Sequence, residues 1–412
     1  MENIDLAKQR LNENNQQKVL KIFEKLEENK QENLAKQILD LDFEQINTLY
    51  KEKDEKFEIN EKIEPIAYVD KNKLENEEKQ EIENLGEDVI KSGKYAVVTM
   101  AGGQGTRLGW KGPKGTFKLD IGENGKYIFE ILTETLKRAS RDYGTEVYWY
   151  IMTSIQNNKD TIDFFEEHNY FGYSKEKVKF FMQGELPLLD MYGNLLIDKD
   201  FNVKKASDGN GGVFGALEKS GMLDDMKSKG VEWVYIGGVD NIMARMVDST
   251  LVGLAIKNGT QVASKSIKKA YPEEKVGSFC KKNGRPAVIE YSEMSNDMIY
   301  AKDENGELLY GESHMVANLF NIEFLKYVAN KHFTYHSAIK KNSYIDENLT
   351  EIIPEEPNSL KFEAFIFDAF EYSDDISILS VNREEEFAPI KNAIGVDSPE
   401  TAKGIYTKYF NK

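Results

Sequence analysis

The sequence predicts an α/β protein: a mixed, mostly parallel sheet with helices on both faces, preceded by a helical N-terminal lobe. Three observations lead there. From Lys94 to about Ile267, short β-branched apolar runs alternate with amphipathic stretches, the pattern of parallel strands joined by crossover helices. Before them, a stretch rich in Glu, Lys, Asn, Gln and Leu places Val19, Phe23, Leu26, then Leu34, Ile38 and Leu41 at helical spacing. Two sharp glycine loops, after Met100 and after Ile236, each follow a predicted strand, where sheets of this kind gather ligands.

The elements follow in order. Asp54 to Lys62 is charge-rich and reads as a linker, ending at Ile63-Glu64-Pro65-Ile66. Ala96 to Met100 is short and β-branched enough for a buried strand. Ile128 to Tyr143 is an amphipathic helix with Ile128, Ile131, Leu132, Leu136 and Ala139 on one face. Val147–Met152, Val178–Met182, Trp233–Ile236 and Gln261–Ile267 read as strands, with helices at Thr161–His168 and Ser249–Asn258. From Tyr271 hairpins take over: Gly277–Tyr291 turns at Asn283-Gly284. Gly311–Phe320 and Phe362–Phe367 read as extended, with a helix near Phe324–Ala329 between them.

The 412 residues allow two or three packed units. With 40% hydrophobic and 30% charged residues the chain is ordinary for a soluble globular protein. Its net charge of −17 disfavours nucleic acid, although local cations can still make a positive pocket for an anionic substrate. Cys280 is the single cysteine, which excludes a disulfide framework; with four histidines no zinc constellation is available either. The N-terminus lacks an apolar signal core and no run has the length of a membrane span. A cytoplasmic protein without membrane partners is the expectation. Oligomeric state is open, a monomer being the working expectation.

The chain is organised around Tyr95 to Phe117. After the strand, Gly102, Gly103 and Gly105 allow a tight turn and bring backbone N–H groups close to a ligand. Arg107, Lys111 and Lys114 follow, and Gly112-Pro113-Lys114-Gly115 frames one lysine. A Walker-type loop needs Lys then Ser or Thr after its glycine, whereas Lys114 is followed by Gly115. A dinucleotide fingerprint needs glycine where Leu108 stands and an immediate helix, which Gly109 and Pro113 oppose. The stretch reads as a site for nucleotide phosphates.

Gly102-Gly103-Gln104-Gly105-Thr106-Arg107-Leu108-Gly109, then Pro113-Lys114-Gly115, resembles the signature of the eukaryotic-type UDP-sugar pyrophosphorylases, in particular the UDP-N-acetylhexosamine branch. The resemblance runs from the helical N-terminus to Lys391. It implies a Rossmann-like nucleotidyltransferase fold, with residues 1–90 as the helical lobe, 91–392 as the catalytic domain and 393–412 as a short tail. The further C-terminal domain of the family is expected to be missing. The implied reaction is Mg²⁺-dependent formation of a UDP-sugar and pyrophosphate from UTP and a sugar 1-phosphate, N-acetylglucosamine 1-phosphate first and glucose 1-phosphate as the alternative. A UDP-sugar binding or sensing protein is the non-catalytic alternative.

The resemblance also implies roles, each beside a plainer reading. Gly102, Gly103, Gln104, Gly105 and Thr106 would hold nucleotide; Arg107 and Lys114 would hold the departing pyrophosphate. Gln183 would read the uracil edge, a task its donor and acceptor suit; otherwise it is a surface glutamine. Ser207-Asp208-Gly209-Asn210-Gly211-Gly212 alone is a glycine turn before a helix. The resemblance makes Gly209 a uracil contact and Asn210 a sugar contact. Asp240, after Gly237-Gly238-Val239, reads equally as an Asx turn or a Mg²⁺ ligand, and the resemblance favours the ligand. Gly277, Glu290, Asn318, Phe365 and Phe367 would line the sugar pocket, although the two phenylalanines alone read as an alternating strand. Lys391 would steady the attacking phosphate. His332 and His336 have chelating spacing but no acid between them, so a structural role fits better. Cys280 reads as a small buried hydrophobe.

Overall fold

A computed structural model describes residues 2–53, 62–331 and 333–410. Apart from Lys62, the predicted linker lies outside them, as does His332. The chain forms two compact units.

The first unit comprises Met1–Ile59, Gly184–Gly212 and Phe333–Phe365. Its helices Glu2–Glu13, Gln17–Glu24, Glu28–Leu39 and Phe43–Glu52 bury the predicted apolar face, Val19, Phe23, Leu26, Leu34, Ile38 and Leu41 included. These helices share one core with Leu186, Leu189, Leu195, Ile197, Leu360 and Phe362 from the later segments. Buried Gln16 crosses between them: its Nε2 donates to Gly193 O at 3.0 Å, and its Oε1 accepts from Leu195 N at 2.8 Å. Strands His336–Lys340, Ser359–Glu363 and Leu189–Asp190 make an antiparallel sheet beside this core.

The second unit comprises Asn60–Gln183, Val213–His332 and Ile366–Lys412. Its main sheet runs in the order Val69–Asp70, Ser377–Ser380, Val262–Lys268, Glu312–Asn321, Trp233–Gly238, Tyr95–Met100, Tyr148–Thr153, Val178–Met182. Along this path only Glu312–Asn321 runs antiparallel to its neighbours, so the sheet is mixed and mostly parallel as expected. Tyr95–Met100 is buried at every residue. Helix Ile128–Tyr143 buries its predicted face and stops at Gly144, whose φ of 71° suits a left-handed helix end. The hairpin Ser278–Lys282 with Arg285–Ile289 turns at Asn283 and Gly284, with φ of 51° and 82°, the paired left-handed conformation of a two-residue hairpin turn.

Three elements differ from the expectation. Helix Asn76–Lys91, read as part of the N-terminal lobe, packs in the second unit on helix Ser249–Asn258. Gly86 and Gly253 permit this: a Cβ on either would overlap the other helix's backbone, at Ser249 and Ile82 respectively. The extended run Phe362–Phe367 stops at Glu363 and gives way to a 3₁₀ turn at Ile366–Tyr372. Ala364 is diverted because its N–H donates to Asp208 O at 2.8 Å and its O accepts from Gly211 N at 2.9 Å. The predicted tail carries a helix, Pro399–Phe410, with Ala402 and Tyr406 in the second unit's core.

Candidate active site

Four parallel strands, Trp233–Gly238, Tyr95–Met100, Tyr148–Thr153 and Val178–Met182, end side by side, and hydrogen bonds continue one residue past three of the ends. Ala101 N–H donates to Met152 O at 2.7 Å, Val239 N–H to Met100 O at 3.1 Å, and Gln183 N–H to Thr153 O at 2.8 Å. The glycine loop, the Asp240 loop and Gln183 are thereby fixed on the carboxyl edge of the sheet. Gly102 makes room for Gln183, since a Cβ there would overlap the Gln183 side-chain amide. Within the loop, Gly105 N–H donates to Gly112 O at 3.0 Å and Lys114 N–H to Gly103 O at 3.1 Å. Trp110 covers Gly105 and donates through Nε1 to Thr116 Oγ1 at 3.0 Å. Gln104 and Thr106 are exposed on the loop. Among the described residues the N–H groups of Gly102 and Gly103 make no hydrogen bond, so two backbone donors stay available to an anion.

The charged residues gather beside this loop. Lys114 is held below the ordinary lysine value first by burial, then by Lys391 and Arg107, while Asp240 and Asp397 pull the other way. Arg107, Lys114, Lys391 and Asp240 therefore share one electrostatic neighbourhood. Asp397, which the sequence reading did not single out, belongs to it too. Its carbonyl accepts from Lys391 N at 2.7 Å and Asn392 N at 3.0 Å, and its carboxylate lies 3.6 Å from Lys391 Nζ. Among the described residues no ion pair engages Arg107, Lys114 or the Asp240 carboxylate.

Asp240 and the Lys391 segment are tied together by backbone and by Asn241. Ile390 N–H donates to Asp240 O at 2.9 Å. Buried Asn241 donates through Nδ2 to Glu386 O at 2.8 Å and accepts at Oδ1 from Ala388 N at 2.9 Å and Met243 N at 3.2 Å. Underneath, buried Lys265 pairs with Glu386 and, at 2.7 Å, with Asp248. Burial pushes the Asp248 carboxyl up, but Lys265, Lys71 and Arg245 outweigh it and hold the group well below the usual range. For Mg²⁺ the donor set fits. The ion takes one or two protein carboxylates beside phosphates and water, and Asp240 is uncommitted at a strand end. Among the described residues no group of three or more His, Cys, Asp or Glu forms a protein-only cage.

Three of the predicted sugar-side residues, Gly277, Asn318 and Phe367, meet around His314, and a fourth, Glu290, lies beside Gly277. Gly277 O accepts from His314 N at 2.9 Å, and a Cβ on Gly277 would come 3.2 Å from Glu290 Oε1. Asn318 Oδ1 lies 2.9 Å from His314 Nε2, and the Phe367 ring lies edge-on to His314 at 5.6 Å between centroids. The sequence reading quoted His314 only as part of the Asn318 segment; its place depends on pairing between distant strands.

Gly209, Asn210 and Phe365 belong to the first unit. Gly209 has a φ of 92°, and a Cβ there would overlap Ala364 O, so glycine is required. Asn210 opens the 3₁₀ turn Asn210–Gly212. The Phe365 ring lies 4.6 Å from that of His336. Asp208 fits against Gly184 and Gly212, and its buried Oδ1 has no hydrogen-bond partner among the described residues. Burial, reinforced by Glu185, pushes its carboxyl up to about 6. Burial also pushes the Cys280 thiol up to about 12, in keeping with a packing role. Among the described residues no helix is long and apolar enough to cross a membrane.

Residues 40–396 match the family described as UTP--glucose-1-phosphate uridylyltransferase. The chain is 38% identical over 363 residues to UDP-N-acetylglucosamine diphosphorylase 2 of Arabidopsis thaliana, covering 83% of this chain and 70% of that one. It is 39% identical over 336 residues to UDP-N-acetylglucosamine pyrophosphorylase of Saccharomyces cerevisiae, covering 79% and 70% respectively. Among solved structures, the uridine diphosphate N-acetylglucosamine pyrophosphorylase of Trypanosoma brucei in complex with inhibitor superposes with a TM-score of 0.84 at 29% identity, over 99% of this chain and 85% of that one. The chain belongs to the UTP--glucose-1-phosphate uridylyltransferase family.

Proposed function

We propose that this chain transfers a uridylyl group from UTP to N-acetylglucosamine 1-phosphate, releasing pyrophosphate and UDP-N-acetylglucosamine. The observation that carries the reading is the set of charges at the sheet's carboxyl edge. Arg107 and Lys114 are cations without ion-pair partners among the described residues, and they share their surroundings with Lys391 and Asp240. Such groups suit a reaction that moves phosphate charge and needs no protein nucleophile.

In this reading a phosphate oxygen of the sugar phosphate attacks the α-phosphorus of UTP in line. The bond from that phosphorus to the pyrophosphate oxygen breaks, and the electron pair leaves with pyrophosphate. The free N–H groups of Gly102 and Gly103 bind triphosphate oxygens, and Gln183 orients the uracil. Arg107 and Lys114 take up charge developing on the leaving pyrophosphate. Lys391 leaves its half-exposed pairing with Asp397 to steady the attacking phosphate. Asp240 would hold Mg²⁺, which when bound supplies neutralisation of phosphate charge. Partial burial of Lys114 strengthens its attraction for an incoming anion.

The test measures pyrophosphate release from UTP and Mg²⁺ with N-acetylglucosamine, N-acetylgalactosamine and glucose 1-phosphates in parallel. Preferred turnover of N-acetylglucosamine 1-phosphate is expected. Preference for glucose 1-phosphate would keep the chemistry and overturn the substrate. Silence with all three, with UDP-sugar still binding, would leave a binding or sensing protein.

A further inference from the structure

Strand Glu312–Asn321 is interrupted where it passes Val262–Lys268. Ser264 pairs with Asn318 and Ser266 with His314, so Met315, Val316 and Ala317 stand opposite Lys265 alone. At the centre of this bulge Val316 has a φ of 57°, a conformation that β-branched residues rarely adopt and that costs about 1–3 kcal/mol. On a regular strand, residues four apart are separated by roughly 13 Å. The bulge instead brings His314 Nε2 to 2.9 Å from Asn318 Oδ1.

The contact is reinforced from the neighbouring strand, where Ser264 Oγ–H donates to the same Asn318 Oδ1 at 2.8 Å. His314 and Ser264 thus both meet the oxygen end of the amide, and Ser264 Oγ also lies 3.2 Å from Ala317 O. At the other end of the amide, Asn318 Nδ2 has no hydrogen-bond partner among the described residues, in a residue with 0% exposure. A buried N–H group left unpaired costs about 1–3 kcal/mol, so its persistence calls for a partner or a role. Edge-on rings of Phe279, Phe367 and Phe370, at 5.5, 5.6 and 5.8 Å, surround His314.

We infer that His314, together with Ser264, is a positioning residue for the sugar side of the site: it holds Asn318 so that the amide NH₂ is reserved for an acceptor oxygen of the ligand. The matching chemistry is a hydroxyl or N-acyl carbonyl oxygen on the hexosyl group of a nucleotide sugar. The inference rests on the proposed sugar-nucleotide reading, because the backbone of Gly277 and the ring of Phe367 join the same cluster.

Calorimetric titration of UDP and UDP-N-acetylglucosamine into the full chain tests it. In the unsubstituted chain the sugar nucleotide is expected to bind more tightly than UDP. His314→Phe is expected to weaken UDP-N-acetylglucosamine at least tenfold while leaving UDP within twofold. His314→Gln, whose amide can still donate to Asn318, is expected to recover to within threefold. Ser264→Ala, a milder change that decides the matter if His314→Phe misfolds, is expected to lower the sugar nucleotide's affinity three- to tenfold, again without affecting UDP. Equal weakening of both ligands, or of neither, would overturn the positioning role. If the unsubstituted chain itself fails to distinguish the two ligands, the sugar-pocket reading fails first, and this inference with it.

Discussion

The carbonyl oxygen of Asp240 accepts the backbone N–H of Ile390 at 2.9 Å, so the uncommitted carboxylate and the segment ending in Lys391 are held as one piece. Asn241 locks the same junction with bonds to Glu386, Ala388 and Met243. Asn241→Ala leaves those backbone groups unpaired and is expected to lower stability by roughly 2–4 kcal/mol. It should also reduce kcat at least tenfold by loosening Lys391 relative to Asp240. Urea unfolding and steady-state rates check both; unchanged kcat in a folded variant would contradict the clamp.

Beneath that junction lies the Lys265, Asp248 and Glu386 cluster, with Lys265 only 1% exposed. Lys265→Met removes the closest cation from two buried carboxylates and leaves them to Lys71, 3.0 Å from Asp248 and 3.9 Å from Glu386, and a loss of about 3 kcal/mol is expected in denaturant unfolding. A double variant that also replaces Glu386 with Gln should recover part of the loss. A single variant as stable as the original chain would contradict the pairing.

His314 makes stability depend on pH. Burial lowers its titration from 6.5 to about 4, the Asn318 bond opposing. Between those values the unfolded chain binds the extra proton, so stability is fully present above pH 6.5 and falls as pH drops toward 4. The expected change is roughly 3 kcal/mol. His314→Phe should flatten this dependence; identical pH profiles would contradict the buried neutral imidazole.

Asp208 works in the opposite sense. Its titration is raised from 3.8 to about 6, so the folded chain holds the proton longer and the ionised carboxylate weakens the fold above pH 6. Asp208→Asn is expected to stabilise the chain at pH 7.5 by roughly 1–3 kcal/mol and much less at pH 4. A lower melting temperature at pH 7.5 would contradict this.

The sheet was legible because its parts are local. Six of its strands carry their own apolar runs, while Val69–Asp70 and Ser377–Ser380 at one edge went unread; Met100-Ala101-Gly102, Gly238-Val239-Asp240 and Met182-Gln183 mark strand ends that pairing then lines up. What escaped depends on contacts across long stretches of sequence. Helix Asn76–Lys91 looks like its N-terminal neighbours until Gly86 meets Ser249. The end of strand Ser359–Glu363 is set by Asp208 and Gly211, more than 150 residues earlier in the sequence. Asp397 and His314 gain meaning from the turn that closes on Lys391 and from the bulge at Val316. No local pattern announces either.

The most direct test compares the chain with its Lys114→Ala variant in pyrophosphate release from UTP, Mg²⁺ and N-acetylglucosamine 1-phosphate. The account expects turnover by the chain and roughly a hundredfold loss in the variant, about 3 kcal/mol of transition-state stabilisation. Melting should be unimpaired, because the substitution removes a partly buried charge. Near-normal turnover by the variant would contradict the central claim that the cations at the sheet's carboxyl edge carry the transfer.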